Sequence, residues 1–183
     1  MKPEKGAVAT QRLFFALWPE EALQRQLAMA AAALLPQTAG RRVRPENLHC
    51  TLVFLGNVEA GQRLCVEAAA TTLAPTPSFT LVFDRFGYFR GPQVAWLGCS
   101  YTPPVLLDLV AQLGRGCAAC GFPPEQRPYA VHLTVARKLR RDPGRAPFMP
   151  IEWRVERFAL VESVSTDEGV QYQPLRFWGH RSD

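Results

Sequence analysis

Arg44-Pro45-Glu46-Asn47-Leu48-His49-Cys50-Thr51 has a near copy downstream, Arg127-Pro128-Tyr129-Ala130-Val131-His132-Leu133-Thr134. Arg, Pro, His and Thr coincide at an offset of 83 residues, and Leu52 then falls opposite Val135. The same offset lays an apolar run at 12–17 on 95–100 and a helical stripe at 19–35 on 102–118. A repeat of this length is a supersecondary unit used twice. It reads as two β-α-β halves sharing one pseudo-symmetric core, with both histidine strands lining a cleft between them. The match fails beyond the second His, because 58–73 reads as helix and its image at 141–156 does not.

Working outward, residues 12–17 read as a strand. Pro19 stands at a first-turn position with Glu20 and Glu21 behind it, favourable at a helix N-terminus. Leu23, Leu27, Ala30 and Leu34 form one apolar stripe that Pro36 stops. A strand at 48–55 turns at Gly56 and Asn57 into a helix near 58–73, whose expected buried face is Leu64, Cys65, Ala68 and Ala69. Strands at 79–83 and 94–97 flank an irregular loop at 86–92. A helix follows at 104–120, then a strand at 131–136, a polar loop at 137–150, and closing strands at 152–163 and 170–177. The expectation is an α+β fold: bilobal, with antiparallel-rich sheets facing a central groove. It forms a single domain over residues 1–183, with 1–11 as an N-terminal extension.

The chain has 183 residues, 48% hydrophobic and 20% charged, enough for a core that needs neither disulfide nor metal. No apolar run approaches the roughly 18 residues of a membrane span, and the apolar stretch at 13–18 is too short for a signal peptide. A soluble cytoplasmic protein is expected. The net charge is +5, and Lys occurs only at positions 2, 5 and 138, so the other basic residues are Arg. With many Ala and Pro alongside, that excess reads first as genomic bias and only weakly as polyanion binding. Five cysteines, at 50, 65, 99, 117 and 120, are an odd set at irregular spacing, in keeping with a reducing compartment. Cys117 and Cys120 continue the apolar stripe of Leu106, Leu109 and Leu113, so core packing outweighs a redox or zinc role for this C-x-x-C.

The chemistry sits in the two His-x-Thr strands. Residues two apart on a strand share a face, so each motif presents an imidazole beside a hydroxyl. Two such strands face to face suit transfer at a phosphate ester. One neutral His takes a proton from water and a protonated His gives one to the leaving oxygen, both near neutral pH. Thr hydroxyls and Arg can hold the non-bridging oxygens. No D-x-D, H-E-x-x-H or Walker loop is present. The third histidine, His180, reads as part of a solvated tail.

These residues resemble the two-histidine phosphoesterase superfamily, specifically the RNA 2′,3′-cyclic phosphodiesterases, also called the 2′-5′ RNA ligase family. The segments that carry it are Arg12-Leu-Phe-Phe-Ala-Leu-Trp-Pro19, Leu48-His-Cys-Thr-Leu-Val-Phe-Leu-Gly56, Val94-Ala-Trp-Leu-Gly98, Val131-His-Leu-Thr-Val-Ala-Arg137 and Leu160-Val-Glu-Ser163. Val131, where the family often has Pro, and Cys50, where an aliphatic is usual, depart from the pattern. The resemblance implies hydrolysis of a terminal 2′,3′-cyclic phosphate to a 2′-phosphomonoester with no cofactor and no metal. It makes His49 the proton donor to the leaving 3′ oxygen, His132 the acceptor that activates water, and Thr51 and Thr134 holders of the phosphate. The implied partners are RNA ends or nucleotides bearing the cyclic phosphate, and a monomer is expected. The alternatives are ATP-independent 2′-5′ end joining and a non-catalytic nucleotide-binding or RNA-binding module.

Arg137 matches an Arg that the family places near the phosphate, but strict alternation puts it on the face opposite His132, so it reaches the groove only if the strand ends or bulges. Phe54 has the same parity problem relative to His49: core packing or stacking on a base. Arg41, Arg42 and Arg44 before the first motif, and Lys138, Arg140, Arg141 and Arg145 after the second, would flank the mouth with positive charge. The aromatics at 86–92 fit a binding loop or strand packing.

Overall fold

The computed structural model describes residues 9–36, 40–73, 75–167 and 169–179; His180 and residues 1–8 lie outside them. Strand β1 (Thr10–Leu17) leads into helix α1 (Glu21–Leu34), a short strand β2 (Arg41–Arg42) and a 3₁₀ turn (Pro45–Asn47). Strand β3 (Cys50–Glu59), helix α2 (Ala60–Thr71) and strands β4 (Phe79–Phe83), β5 (Arg85–Phe89) and β6 (Val94–Gly98) follow. Helix α3 (Pro104–Ala119) precedes β7 (His132–Arg137), β8 (Ile151–Val155), β9 (Arg157–Thr166) and β10 (Gly169–Gly179).

Two four-stranded antiparallel sheets carry the fold, ordered β10-β9-β1-β3 and β2-β7-β6-β5, beside a β4-β8 pair. The repeat is plain in this order: β1-α1-β3 and β6-α3-β7 are the two β-α-β halves, and each histidine strand pairs with the first strand of its own half. Buried residues of both halves form one continuous cluster, from Leu13, Phe15 and Leu27 to Leu106, Leu113 and Leu133. Each fully buried Leu of this kind contributes about 1.5–3 kcal/mol. The fold class stands as read, and so does the α3 stripe of Leu106, Leu109, Leu113 and Cys117.

Several boundaries need correction. β1 starts at Thr10, inside the stretch read as an extension. Pro19 precedes the Glu20 cap of α1 and stands outside the first turn. Gly56 and Asn57 do not turn the chain: Gly56 takes φ +76° within β3, which runs on to Glu59. There a capping box between Glu59 and Gln62 starts α2. The buried face of α2 is Val66 and Ala70, whereas Leu64 is 70% exposed. The 86–92 loop is largely the strand β5, with Phe86 in the core. The closing segment 152–163 is two strands, β8 and β9, parted at Glu156.

Cysteine use also differs. Cys117 packs in the core as expected, but Cys120 forms a disulfide with Cys65, joining α3 to α2. The C-x-x-C pair is therefore split between two partners. The reducing compartment read from an odd cysteine count loses its basis, since an odd count is also one bridge and three free thiols.

Candidate active site

His49 stands just before β3 and His132 opens β7, and these two strands pack against each other. Cross-strand partners share a sheet face. Cys50 opposes Leu17 on the core side and Thr51 opposes Ala16, so His49 and Thr51 share the outer face with Ala16 and Phe14. In the other sheet His132 opposes Gly98 and Thr134 opposes Trp96. All four motif side chains are half-buried.

Phe54 and Arg137, both on the wrong parity, reach these faces through bulges. In β3, Leu52 and Leu55 are extra residues in the ladder with β1, both buried in the core. Phe54 consequently lies opposite Phe14, on the His49 face, and is 57% exposed with the Arg12 guanidinium 5.0 Å from its ring centroid. In β7 the extra residue is Val135: Thr134 pairs with Trp96, Ala136 with Ala95. Ala136 turns inward and Arg137 outward, onto the face of His132. Core packing is therefore not what Phe54 does.

Both imidazoles are held by one device. Nδ1 of His49 lies 2.7 Å from the carbonyl oxygen of Asn47, and Nδ1 of His132 lies 2.8 Å from that of Ala130. A carbonyl can only accept, so each Nδ1 carries the proton and each Nε2 is left for chemistry. The surroundings differ. His49 is ringed by Trp18, stacked at 5.6 Å, Phe14 at 4.9 Å and Tyr172, edge-on at 4.9 Å. His132 has Phe89 edge-on at 5.3 Å, and Phe89 in turn packs on Trp96. The Trp96 ring lies across Gly87 and Gly98, where any Cβ would collide with it.

Electrostatics separate the two further. Burial lowers the His49 pKa from 6.5 to about 4 against the opposing pull of its Asn47 hydrogen bond, and the positive charges of Arg137 and His132 lower it more. Both charges act on His49 from β7, the strand that packs against β3. Removing positive neighbours, or bringing in an anion, raises the pKa again.

The two basic segments meet because β2 pairs with β7, setting Arg41 opposite Arg137. Arg42 donates to the carbonyl of Leu35 at the end of α1. Lys138, Arg140, Arg141 and Arg145 are exposed beyond β7. Among the described residues no cluster of His, Cys, Asp or Glu could hold a metal ion, and no helix is long and apolar enough to cross a membrane. Sequence reading missed Arg12, Phe14, Trp18 and Tyr172. The first three were within reach, since Arg12 and Phe14 alternate along β1 with Ala16, the partner of Thr51, and Trp18 continues that alternation just past its end.

A family model described as the 2′-5′ RNA ligase superfamily matches residues 19–167. The RNA 2′,3′-cyclic phosphodiesterase of Escherichia coli is 34% identical over 173 residues, covering 92% of this chain and 96% of that protein. The Thermotoga maritima protein of the same name is 31% identical, covering 90% and 92%. The solved structure of E. coli LigT complexed with 3′-AMP superposes with a TM-score of 0.84 at 31% identity, covering 93% of this chain and 98% of that one.

Proposed function

From the premise that the chain belongs to the 2′-5′ RNA ligase superfamily, we propose that it hydrolyses terminal 2′,3′-cyclic phosphates of RNA to 2′-phosphomonoesters. The observation that carries this is the pair of imidazoles whose Nδ1 atoms are held by backbone carbonyls, each sharing a strand face with a Thr hydroxyl, with the Arg137 charge acting on His49. Its likeness to proteins named RNA 2′,3′-cyclic phosphodiesterase supports the substrate.

In this reading Thr51, Thr134 and Arg137 hold the non-bridging oxygens. Nε2 of His132 takes a proton from water as its oxygen bonds to phosphorus. The bond to the 3′ oxygen breaks, and Nε2 of His49 delivers a proton to it. Phe54, flanked by Arg12, stacks on the neighbouring base. Side chains alone supply every step, as a single bilobal unit. A cytoplasmic monomer remains our expectation, with the Cys65–Cys120 bridge as the feature against that compartment.

One observation favours a second reading, in which the two histidines exchange roles. With a pKa of about 4, His49 is neutral near pH 7 in the free enzyme. It can donate only if the phosphate anion and the protons it brings raise that value. Without such a rise His49 stays neutral and can only accept a proton, which leaves the donor's part to His132.

The test is a short RNA ending in a 2′,3′-cyclic phosphate, incubated with the protein in excess EDTA, with the product isomer identified. A 2′-phosphate made at unchanged rate in EDTA supports the proposal. No turnover, with RNA still bound in a salt-sensitive way, replaces it with a binding module. Joined 2′-5′ ends as the main product would make ligation the working direction, against the mass-action advantage of water at ~55 M.

A further inference from the structure

The pseudo-symmetry of the groove is broken at Asn47. The repeat aligns it with Ala130, and each supplies the backbone carbonyl that takes the imidazole Nδ1 proton of its half. Ala130 has no side chain to do more. The Asn47 side chain, 7% exposed, is used at both ends. Its Nδ2 donates to the carbonyl of Val170 at 2.9 Å, and its Oδ1 accepts from the backbone N–H of Tyr172 at 3.0 Å. The carboxamide thus substitutes for a strand partner along β10.

This contact is unexpected from the sheet order, because β10 and β3 lie at opposite edges. The β9 pairing with β1 ends at Glu162, so residues 163–166 and their partners 169–172 form a hairpin arm beyond the sheet. The arm folds back toward the turn before β3. Its tip at Gly169 packs on the Arg41 guanidinium from β2, and Tyr172 lies edge-on to both His49 and Phe14. The ring edge-on to His132 is Phe89 of β5, and among the described residues no side-chain carboxamide ties it to the His132 turn.

We propose that Asn47 is a positioning residue for His49. Its carboxamide locks the arm to the turn, so that the Nδ1 acceptor and the Tyr172 ring are held as one rigid unit against the imidazole. The proposal rests on the catalytic reading of His49 given above, but the geometry it describes does not need turnover to be tested. Charged and titratable groups around His49 are Arg137 and His132 from β7 and the Tyr172 phenol from β10; Cys50, next on its own strand, faces the core.

The experiment is NMR of the imidazole nitrogens across a pH titration, with steady-state kinetics alongside, for the wild type, Asn47→Ala and Tyr172→Leu. Tyr172→Leu keeps the backbone N–H that Asn47 accepts and removes only the ring. In the wild type His49 is held as the Nδ1–H tautomer and titrates well below the ordinary 6.5. In Asn47→Ala, His49 shifts toward mixed tautomers and an ordinary titration. The His132 tautomer, held by Ala130, is kept, and kcat falls about tenfold to a hundredfold while KM changes little. In Tyr172→Leu the titration moves the same way with the tautomer kept. Unaltered His49 tautomer and titration in Asn47→Ala overturn the proposal. If Asn47→Ala fails to fold, an unaltered His49 titration in Tyr172→Leu overturns it instead. A wild type without turnover would sink the catalytic reading and leave these NMR outcomes readable.

Discussion

Arg137 and His132 share one face of β7 although they stand an odd five positions apart, because Val135 is an extra residue in the ladder with β6. Without the bulge, Arg137 would point into the core side, where Leu133 and Ala136 are fully buried. The bulge instead turns Arg137 to the His132 face, from which its charge acts on His49.

Arg137→Gln should therefore lower kcat/KM about tenfold to a hundredfold, the range for losing a charge-assisted hydrogen bond to phosphate. It should also raise the His49 pKa in the free protein, since a positive neighbour is gone. Kinetics and an NMR titration of the same sample check both. A changed rate with an unmoved His49 would mean that Arg137 is remote from it.

The direction of proton transfer is open to a chemical test. Replacing the 3′ oxygen of the cyclic phosphate by sulfur makes a leaving group that needs no proton. If His49 is the donor, this substrate restores most of the rate lost in His49→Ala and little of that lost in His132→Ala. The reverse pattern would exchange the roles.

The depressed His49 pKa also bears on stability. Its folded value of about 4 lies below the ordinary 6.5, so between those pH values the unfolded chain binds a proton that the folded chain does not. Its contribution is fully present above about pH 6.5 and is lost as the pH falls toward 4. Glu67 and Asp84, held below 4.5 and 3.8 by hydrogen bonds that outweigh partial burial, act only lower down. Urea unfolding at pH 7 and pH 5 should show a larger acid loss for the wild type than for His49→Gln. Equal losses would contradict the burial assigned to His49.

The Cys65–Cys120 bridge joins α2 to the end of α3 across a sequence separation of 55 residues. The double Cys→Ser variant should lose about 2–4 kcal/mol of stability, read by urea unfolding, and keep its turnover within about twofold. Unchanged stability would mean that the bridge does not form in solution.

What could be read beforehand follows from how far each determinant spreads along the chain. The repeat located both histidine strands, both β-α-β halves and the α3 core stripe, because each is encoded within a few neighbouring residues. The bulges at Leu52, Leu55 and Val135 were not legible. A bulged Leu or Val looks like any other core residue, and only the ladder partner reveals the extra position. Parity arithmetic nevertheless marked Phe54 and Arg137 as the places where a bulge would matter. The Asn47 contact with β10 joins residues 123 apart, and nothing local in either segment announces it. Strand β5 was missed because glycine and proline around its end, at Gly87, Gly91 and Pro92, mimic a loop. Gly87 is there to seat the Trp96 ring.

The central claim is that His49 and His132 both do the chemistry on one phosphate. The most direct measurement is single-turnover hydrolysis of a cyclic-phosphate RNA by wild type, His49→Ala and His132→Ala, with RNA binding measured on the same samples. The account predicts that each variant still binds and loses about a hundredfold to ten-thousandfold in rate. Either variant turning over at close to the wild-type rate would contradict it.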